Sequence, residues 1–185
     1  VHLVNLRGQP IETITETGLK TSAQEYEFDV LALATGFDAM TGALLKMDIR
    51  GERGQTLNDK WQAGPRTYLG LMAEGFPNMF MLNGPTGPVG NFSLIDIAER
   101  QWEYIDQLLS IIHSGNAETV EPKISAFEDY EKRRIEAAQK TIFSSGCSSW
   151  YLDETGIPMT WPWSYQDFAD AMKQPIISEY DIGGA

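Results

Sequence analysis

The segment that most restricts the fold is a short apolar run that ends in a glycine. Residues 30–34 read Val-Leu-Ala-Leu-Ala, and Thr35 and Gly36 follow directly. An unbroken apolar run of this length is typical of a strand that is buried on both faces of a parallel sheet. Gly36 has no side chain, so a ligand or another segment can approach the carboxyl end of that strand, where open α/β sheets bind dinucleotides. A core strand that ends in an ordinary turn glycine explains the segment equally well.

Shorter strand candidates precede this run. Residues 3–6 and 11–15 are each followed by turn residues, and Tyr26, Phe28 and Val30 alternate with acidic residues. Alternation of this kind is typical of strands with one buried face. These features predict a β-meander that leads into the parallel strand.

A strand–loop–helix unit is predicted in the middle of the chain. Residues 79–82 form a second apolar run, predicted as a buried strand that ends at Asn83-Gly84-Pro85. After a loop at residues 86–92, apolar residues recur every three or four positions, which predicts a helix that begins near Ser93. The predicted apolar stripe comprises Ile95, Ala98, Trp102, Ile105, Leu109 and Ile112. Gly115 is placed to follow the helix C-terminus.

A second amphipathic helix follows and completes an α/β pattern. Its apolar positions are Ile124, Phe127, Ile135, Ala138 and Ile142. Either the capping-box spacing of Ser125 and Glu128 marks its start, or Pro122 marks its first turn. The charged run at residues 128–134 is expected to be a solvated face of this helix.

Composition excludes several classes of protein. The net charge of −12 argues against nucleic-acid binding, because the phosphate backbone would repel the chain. No stretch approaches the ~18 consecutive apolar residues of a membrane span. Cys147 is the only cysteine and has no neighbouring base, so neither a disulfide nor a catalytic thiol is expected. His2 and His113 are too far apart to suggest a metal site, and a reducing, cytoplasmic location fits this composition.

One expected dinucleotide-binding motif is missing. No Gly-x-Gly-x-x-Gly occurs, so neither pyrophosphate-binding turn of a Rossmann unit is present. Val1 also begins inside a predicted strand, without an initiator methionine. We therefore expect the chain to be the C-terminal portion of a longer protein.

A series of short sequence motifs occurs in the order and spacing of one flavoprotein family. They are Ala34-Thr35-Gly36-Phe37-Asp38, then Gly64-Pro-Arg-Thr-Tyr-Leu-Gly70 with Gly75-Phe-Pro-Asn78, then Asn83-Gly-Pro85, and finally Ser149-Trp-Tyr151. In these words the chain resembles the Baeyer–Villiger monooxygenases, such as phenylacetone and cyclohexanone monooxygenase. The resemblance covers most of the chain and weakens after about residue 161.

The resemblance implies a fragment of a flavoprotein with two dinucleotide-binding domains. Residues 1–37 would end the NADP-binding domain, and residues 38–185 would be the C-terminal part of the FAD-binding domain, with a control loop at about residues 144–165. The whole enzyme would use FAD and NADPH to insert one oxygen of O₂ into a ketone, which gives an ester or lactone. Since both glycine turns and the family fingerprint lie upstream, the upstream half of the same enzyme is the expected partner. The isolated 185 residues are expected to be inactive.

The resemblance also implies which residues face the cofactors. Thr35 and Gly36 would lie at the junction of the two nucleotides. The residues expected beside the flavin are Gly84, Pro85, Ser93 and Leu94, and those expected in the substrate pocket are Val89, Gly90, Asn91 and Phe92. The first turn of a helix offers free N–H groups and a positive dipole end, which suit the pyrimidine edge of a reduced flavin. An ordinary Gly- and Pro-containing loop that caps a helix is the alternative.

Further expectations concern the aromatic C-terminal segment and two charged residues. By resemblance, Trp150 donates its indole N–H to the ribose of the nicotinamide cofactor, unless it is a core or hinge tryptophan. Tyr151 either contacts the cofactor or packs. Three further aromatic residues either line the ketone pocket or close the domain: Trp161, Trp163 and Tyr165. Arg66 pairs with phosphate or is a structural cation, and Asp38 caps the next segment or orients an upstream residue.

Two other functions compete with ketone oxidation. A related flavin monooxygenase that acts on nitrogen or sulfur would share these words and differ in its upstream fingerprint. A non-catalytic interaction module derived from a flavoprotein scaffold would explain the absent phosphate-binding turns.

Overall fold

A computed structural model of the chain describes residues 1–36, 38–88, 90, 92–146 and 149–184. The chain divides into two compact units, Val1–Phe37 and Asp38–Ala185, called here the N-terminal unit and the C-terminal unit. None of the helices in the described ranges combines the length and hydropathy needed to cross a bilayer.

The N-terminal unit is a small antiparallel sheet. Its strands are β1 (Ile11–Ile14), β2 (Gly18–Thr21) and β3 (Glu25–Glu27), and they pair in the order β1-β2-β3. Both pairs are antiparallel, so the predicted β-meander is confirmed. The Tyr26 and Phe28 rings stack at the end of β3, with their centroids 6.2 Å apart.

Two strands predicted in the N-terminal unit are wrong. Residues 3–6 lead into a turn in which the Gly8 N–H donates to the Asn5 carbonyl at 3.0 Å. Residues 30–34 form no strand, and Val30 is 81% exposed. A strand exists only where neighbouring strands satisfy its backbone groups. Nothing in the described part of this unit pairs with residues 30–34, so the predicted parallel strand does not form.

Helices make up most of the regular secondary structure of the C-terminal unit. Its helices are α1 (Gly42–Leu45), α2 (Leu57–Lys60), α3 (Leu94–His113), α4 (Ile124–Ala138) and α5 (Tyr165–Ala171), with 3₁₀ turns at Glu52–Gly54, Ile142–Ser144 and Ile177–Glu179. Its strands β4 (Thr119–Pro122) and β5 (Tyr180–Gly183) pair antiparallel, with Thr119 opposite Gly183 and Pro122 opposite Tyr180.

The strand predicted at residues 79–82 is also absent. The Met81 N–H donates to the Leu71 carbonyl at 2.8 Å, but no ladder extends from this bond. Asn78 and Asn83 flank the segment in left-handed backbone conformations, with φ of 60° and 50°. These two turns bend the chain at both ends, so only a short extended stretch remains between them.

Helix α3 has the predicted ends but a different buried face. Ser93 is its N-cap, and Gly115 follows its C-terminus with φ of 75°. The residues buried on it are Ile97, Gln101, Tyr104, Ile105 and Leu108. Trp102 is 54% exposed and Ile95 is also exposed, so the predicted stripe is only partly right. Helix α3 carries apolar residues on two adjoining faces, and periodicity does not tell which of them the core covers.

Helix α4 begins differently from either prediction. Lys123 is its N-cap without a side-chain capping bond, and Pro122 is the last residue of β4. The capping pair of Ser125 and Glu128 is therefore not used. The expectation that the charged run on α4 is fully solvated is wrong as well, because Glu131 is 0% and Arg134 is 3% exposed.

Tyrosine hydroxyls bond within the main core of the C-terminal unit. The Tyr104 and Tyr180 hydroxyl oxygens are 2.7 Å apart, and Tyr68 donates to Glu179. Burial raises the pKa of Tyr104 to about 12, and it raises the pKa of Tyr68 and Tyr180 as well. Removal of these hydroxyls from water therefore favours their protonated form.

We expect the free energy of unfolding to fall as the pH rises above about 10, the ordinary tyrosine pKa. The unfolded chain then releases phenolic protons that the folded chain still holds, so each ionisation favours unfolding. A titration that follows phenolate absorbance and near-UV circular dichroism together should show these tyrosines ionising as the fold is lost. Ionisation of all tyrosines near pH 10 in an intact fold would contradict this account.

Candidate functional site

The loop before α3 is held by a crossing of two backbone segments. A side-chain carbon on Gly84 would lie 2.4 Å from the Gly70 carbonyl oxygen, and one on Gly70 would lie 2.7 Å from the Gly87 Cα. Only glycine fits at such a distance. Gly84 was expected beside the flavin, and the structure packs Gly84 and Gly87 against Gly70.

A pair of threonines fixes the same crossing. The Thr67 hydroxyl donates to the Pro85 carbonyl at 2.8 Å, and it lies 2.6 Å from the Thr86 hydroxyl. Thr86 is fully buried with φ of 64°, an uncommon conformation for a β-branched residue. Strain of this kind persists only where surrounding contacts enforce it. The loop therefore has one defined conformation at Pro85 and Thr86.

Gln101 was not predicted, and it ties the loop to helix α3. Its side-chain oxygen accepts from the Asn83 N–H at 2.7 Å, although Gln101 is fully buried. On the other side of the loop, the Trp161 N–H donates to the Gly87 carbonyl at 3.0 Å. A glutamine three residues before Tyr104 gives no signal in the sequence until the buried face of α3 is known.

The N-terminus of α3 starts directly after this loop. Ser93 accepts from the Asp96 N–H at 3.5 Å, and Asn83 donates from its amide to the Leu94 carbonyl at 3.3 Å. Leu94 itself is 47% exposed. Helix geometry leaves the first N–H groups without an intrahelical acceptor and places a positive dipole end here. This end of α3 suits an anionic or electron-rich group.

An open cleft of about 540 Å³ brings five predicted site residues together. Those five are Gly90, Phe92, Leu94, Trp150 and Tyr151, and Ala39, Met40 and Asn83 complete the lining. The helix terminus and the aromatic C-terminal segment thus face one space, although more than fifty residues separate them in the chain.

Trp150 and Tyr151 form one wall of this cleft. Their rings stack with centroids 4.0 Å apart, and Phe143 packs against Tyr151 at 5.0 Å. Trp150 is 55% exposed, so it is not the core tryptophan of the alternative interpretation. The Tyr151 hydroxyl lies against Gly90, where a side-chain carbon would be only 1.9 Å away.

Other predicted site residues lie outside the cleft lining. Gly84 and Pro85 are buried in the backbone crossing. Thr35 and Gly36 are exposed residues of the N-terminal unit. Three further positions fall outside the described residues: Val89, Asn91 and Cys147.

The remaining aromatic residues pack within the C-terminal unit. Trp161 is buried, and its ring meets the partly buried Trp163 edge-on at 4.8 Å. Tyr165 meets the Phe92 ring edge-on at 5.2 Å and donates its hydroxyl to Asp96. Tyr165 therefore packs against a residue of the cleft lining, whereas Trp161 and Trp163 are not among the residues that line the cleft.

Arg66 and Asp38 have structural contacts. Arg66 donates to Glu131 at 3.2 Å and lies over the Phe127 ring. Asp38 accepts from the Thr41 N–H and hydroxyl, both at 3.3 Å, and so caps the turn that leads into α1.

Comparison with known proteins points to one group of enzymes. The chain matches no protein-family model. It is 40% identical over 162 residues to an uncharacterised monooxygenase of Mycobacterium tuberculosis, covering 85% of this chain and 32% of that protein. It is 38% identical over 151 residues to a Baeyer–Villiger monooxygenase of Pseudooceanicola batsensis (81% and 27%), and 36% identical over 151 residues to cyclopentanone 1,2-monooxygenase of a Comamonas species (82% and 27%).

Solved structures agree with the sequence relatives. Oxidised steroid monooxygenase bound to NADP matches with a TM-score of 0.85 and 32% identity, over 100% of this chain and 36% of that one. The enzyme OTEMO in complex with FAD and NADP matches with a TM-score of 0.87 and 29% identity, over 98% and 35%. The predicted α/β flavoprotein fold class is therefore confirmed. The chain spans about a third of the length of the relatives that it matches.

We expect Gly90→Ala to displace Tyr151 from the cleft wall. The added carbon would collide with the Tyr151 hydroxyl, and φ of 88° at residue 90 adds strain of about 1–2 kcal/mol. Gly115→Ala is the matched control, because φ there is 75° but no atom lies within 4 Å of the added carbon. Near-UV circular dichroism should change in Gly90→Ala alone. Equal losses of stability and unchanged spectra in both variants would contradict the contact.

Proposed function

We propose that this chain, a homologue of part of the Baeyer–Villiger monooxygenases, forms one side of the active site of an FAD- and NADPH-dependent ketone monooxygenase. The observation that carries the proposal is the cleft, which is lined by Leu94 at the N-terminus of α3, by Gly90 and Phe92, and by the Trp150–Tyr151 wall. The relatives named above are monooxygenases, and one of them is named for a cyclic ketone.

Helix α3 would hold the flavin through its backbone. FAD, when bound, supplies the capture of O₂ and the transfer of one oxygen to the ketone. The first N–H groups of α3, at Leu94 and its neighbours, would stabilise negative charge on the flavin without any charged side chain. Ser93 fixes where the helix begins, and the crossing of Gly84 and Gly87 with Gly70 fixes the first part of the preceding loop.

The substrate pocket would lie beside Phe92. Its ring is supported by Tyr165, so it presents a fixed apolar surface to a ketone. We assign Val89, Gly90 and Asn91 to the same pocket on their positions in the family motif. Asn91 is polar where better-known members of the family are apolar, so their substrate range does not carry over to this chain.

Trp150 and Tyr151 would contact NADPH. The stacked indole is half-exposed on the cleft wall, and its single N–H would donate to a ribose oxygen while the ring shields the cofactor. Residues 144–165 then form the control loop, whose position governs access of the nicotinamide to the flavin.

The N-terminal unit and the rest of a longer polypeptide complete this proposal. Residues 1–37 would end the NADP-binding domain, with Thr35 and Gly36 at the junction of the two nucleotides, and residues 38–185 would belong to the FAD-binding domain. An upstream half of the same enzyme would supply both pyrophosphate-binding turns. A reducing cytoplasm suits a chain with a single cysteine.

In the longer enzyme, we expect Trp150→Ala to weaken NADPH binding roughly tenfold or more, because a hydrogen bond of about 0.5–1.5 kcal/mol and a stacking surface are both lost. Trp150→Phe should keep the packing and isolate the donor. FAD content should stay at the wild-type level in both variants. Trp102→Phe, on an equally exposed tryptophan of α3, is the control. Unchanged NADPH affinity with lost FAD would make Trp150 a structural residue.

We expect the 185-residue chain by itself neither to oxidise NADPH nor to bind FAD with an affinity tighter than about 1 μM. Backbone amides of the missing pyrophosphate turns supply much of the anchoring in enzymes of this kind. Titration of FAD into the purified chain, followed by flavin fluorescence, measures this directly. A submicromolar dissociation constant would show that the loop and the α3 terminus suffice to hold the flavin.

A further inference from the structure

A buried ion pair lies on α4, away from the cleft. Glu131 accepts from Arg134 at 2.6 Å (Nε) and 3.0 Å (Nη2), and both side chains are almost fully removed from water. Burial of two charges is costly, and an apolar pair of the same size often stabilises a protein as well. Stability alone therefore does not explain why two charged residues occupy these buried positions.

The guanidinium nitrogen of Arg134 that does not bond Glu131 contacts the segment that carries Tyr151. Its Nη1 donates to the Pro158 carbonyl at 2.8 Å. The next residue, Met159, donates its N–H to the Tyr151 carbonyl at 2.7 Å, and Leu152 and Pro158 form a β-bridge. Residues 151–159 are thus a small hairpin, and Arg134 holds its returning side.

The turn of this hairpin is fixed by one carboxylate. Asp153 accepts from the Thr155 and Ile157 N–H groups, each at 2.9 Å. The Asp153 side chain also packs on Gly64, where an added carbon would lie 3.0 Å away. The turn is therefore rigid, and the hairpin can move only as a unit. Its orientation depends on the contacts made by its returning side, among them the bond from Arg134 to Pro158.

Glu131 is also linked to the loop before α3. Arg66 donates to it at 3.2 Å, and the neighbouring Thr67 holds the Pro85 carbonyl of the loop before α3. One buried carboxylate is thus linked through Arg134 to the hairpin that carries Tyr151, and it accepts from Arg66, whose neighbour Thr67 bonds the loop before α3.

We propose that Glu131 and Arg134 are positioning residues that set the Trp150–Tyr151 wall relative to the loop before α3. The planar guanidinium suits this role, because its fork binds Glu131 with two N–H groups while a third bonds Pro158. This positioning, called here the coupling, stands without the function proposed above. Only its effect on NADPH binding rests on that function.

The coupling can be tested in the 185-residue chain with two variants, Arg134→Lys and Arg134→Met. Arg133→Met is the control. Arg133 directly precedes Arg134 on α4 and pairs with Asp129 at 3.0 Å in an exposed ion pair, so it is a matched control. Arg134→Lys keeps a positive charge beside Glu131 and is the variant to use if Arg134→Met does not fold. Hydrogen exchange of the Met159 amide should be about tenfold faster in the Arg134 variants. It should be unchanged in Arg133→Met.

A measurement on the wild-type chain needs no variant at all. Under increasing denaturant, the Met159 amide should open together with the amides of α4. Loss of protection at Met159 while α4 stays protected would overturn the proposal. So would unchanged exchange at Met159 in folded Arg134→Lys.

The longer enzyme separates this inference from the proposed function. There Arg134→Lys should raise the KM for NADPH several-fold, change kcat less, and leave FAD content unchanged. Faster exchange at Met159 with an unchanged KM would leave the positioning role intact and would refute the assignment of Trp150 to NADPH.

Discussion

The C-terminal unit depends on one close contact between two stretches of backbone. Gly70, Gly84 and Gly87 allow the segment that begins at Thr67 to cross the loop before α3 at distances that exclude any side chain. Because the crossing is made of backbone, it fixes the loop independently of the apolar core. The bonds from Thr67, Gln101 and the Trp161 N–H reach the loop only because the crossing brings it to them.

Strain in this loop is balanced by local bonds. A left-handed conformation at a threonine such as Thr86 costs of order 1–3 kcal/mol. Hydrogen bonds of about 0.5–1.5 kcal/mol each, made by Thr67 and by the Asn83 and Gly87 backbones, are enough to offset that cost. Residues 83–87 are therefore set before any ligand arrives, so binding would not have to order this part of the chain. The first turn of α3 is equally preorganised, since Ser93 defines its start.

Features that depend on neighbouring residues were predictable, and those that depend on distant partners were not. Ser93 and Gly115 mark the ends of α3 by their own chemistry, and the β1–β3 meander follows from alternation and turns. The runs at residues 30–34 and 79–82 have the composition of strands, but a strand needs ladder partners that composition does not reveal. Gln101, Glu131 and Arg134 were missed because polar residues in a helix are ordinarily exposed. The cleft brought five predicted residues together because family resemblance carries information about distant contacts that periodicity lacks.

The exposed run at residues 30–34 has a consequence for how copies of this chain behave in solution. Its five residues contain no charge and no proline, and Val30 and Leu33 are largely open to water. Short uncharged segments of this kind readily pair edge to edge and start aggregation. Asp29 and Asp38 flank the run closely and act as charged gatekeepers, and the net charge of −12 keeps the molecules apart. High salt weakens both protections, so the chain should be handled at low ionic strength.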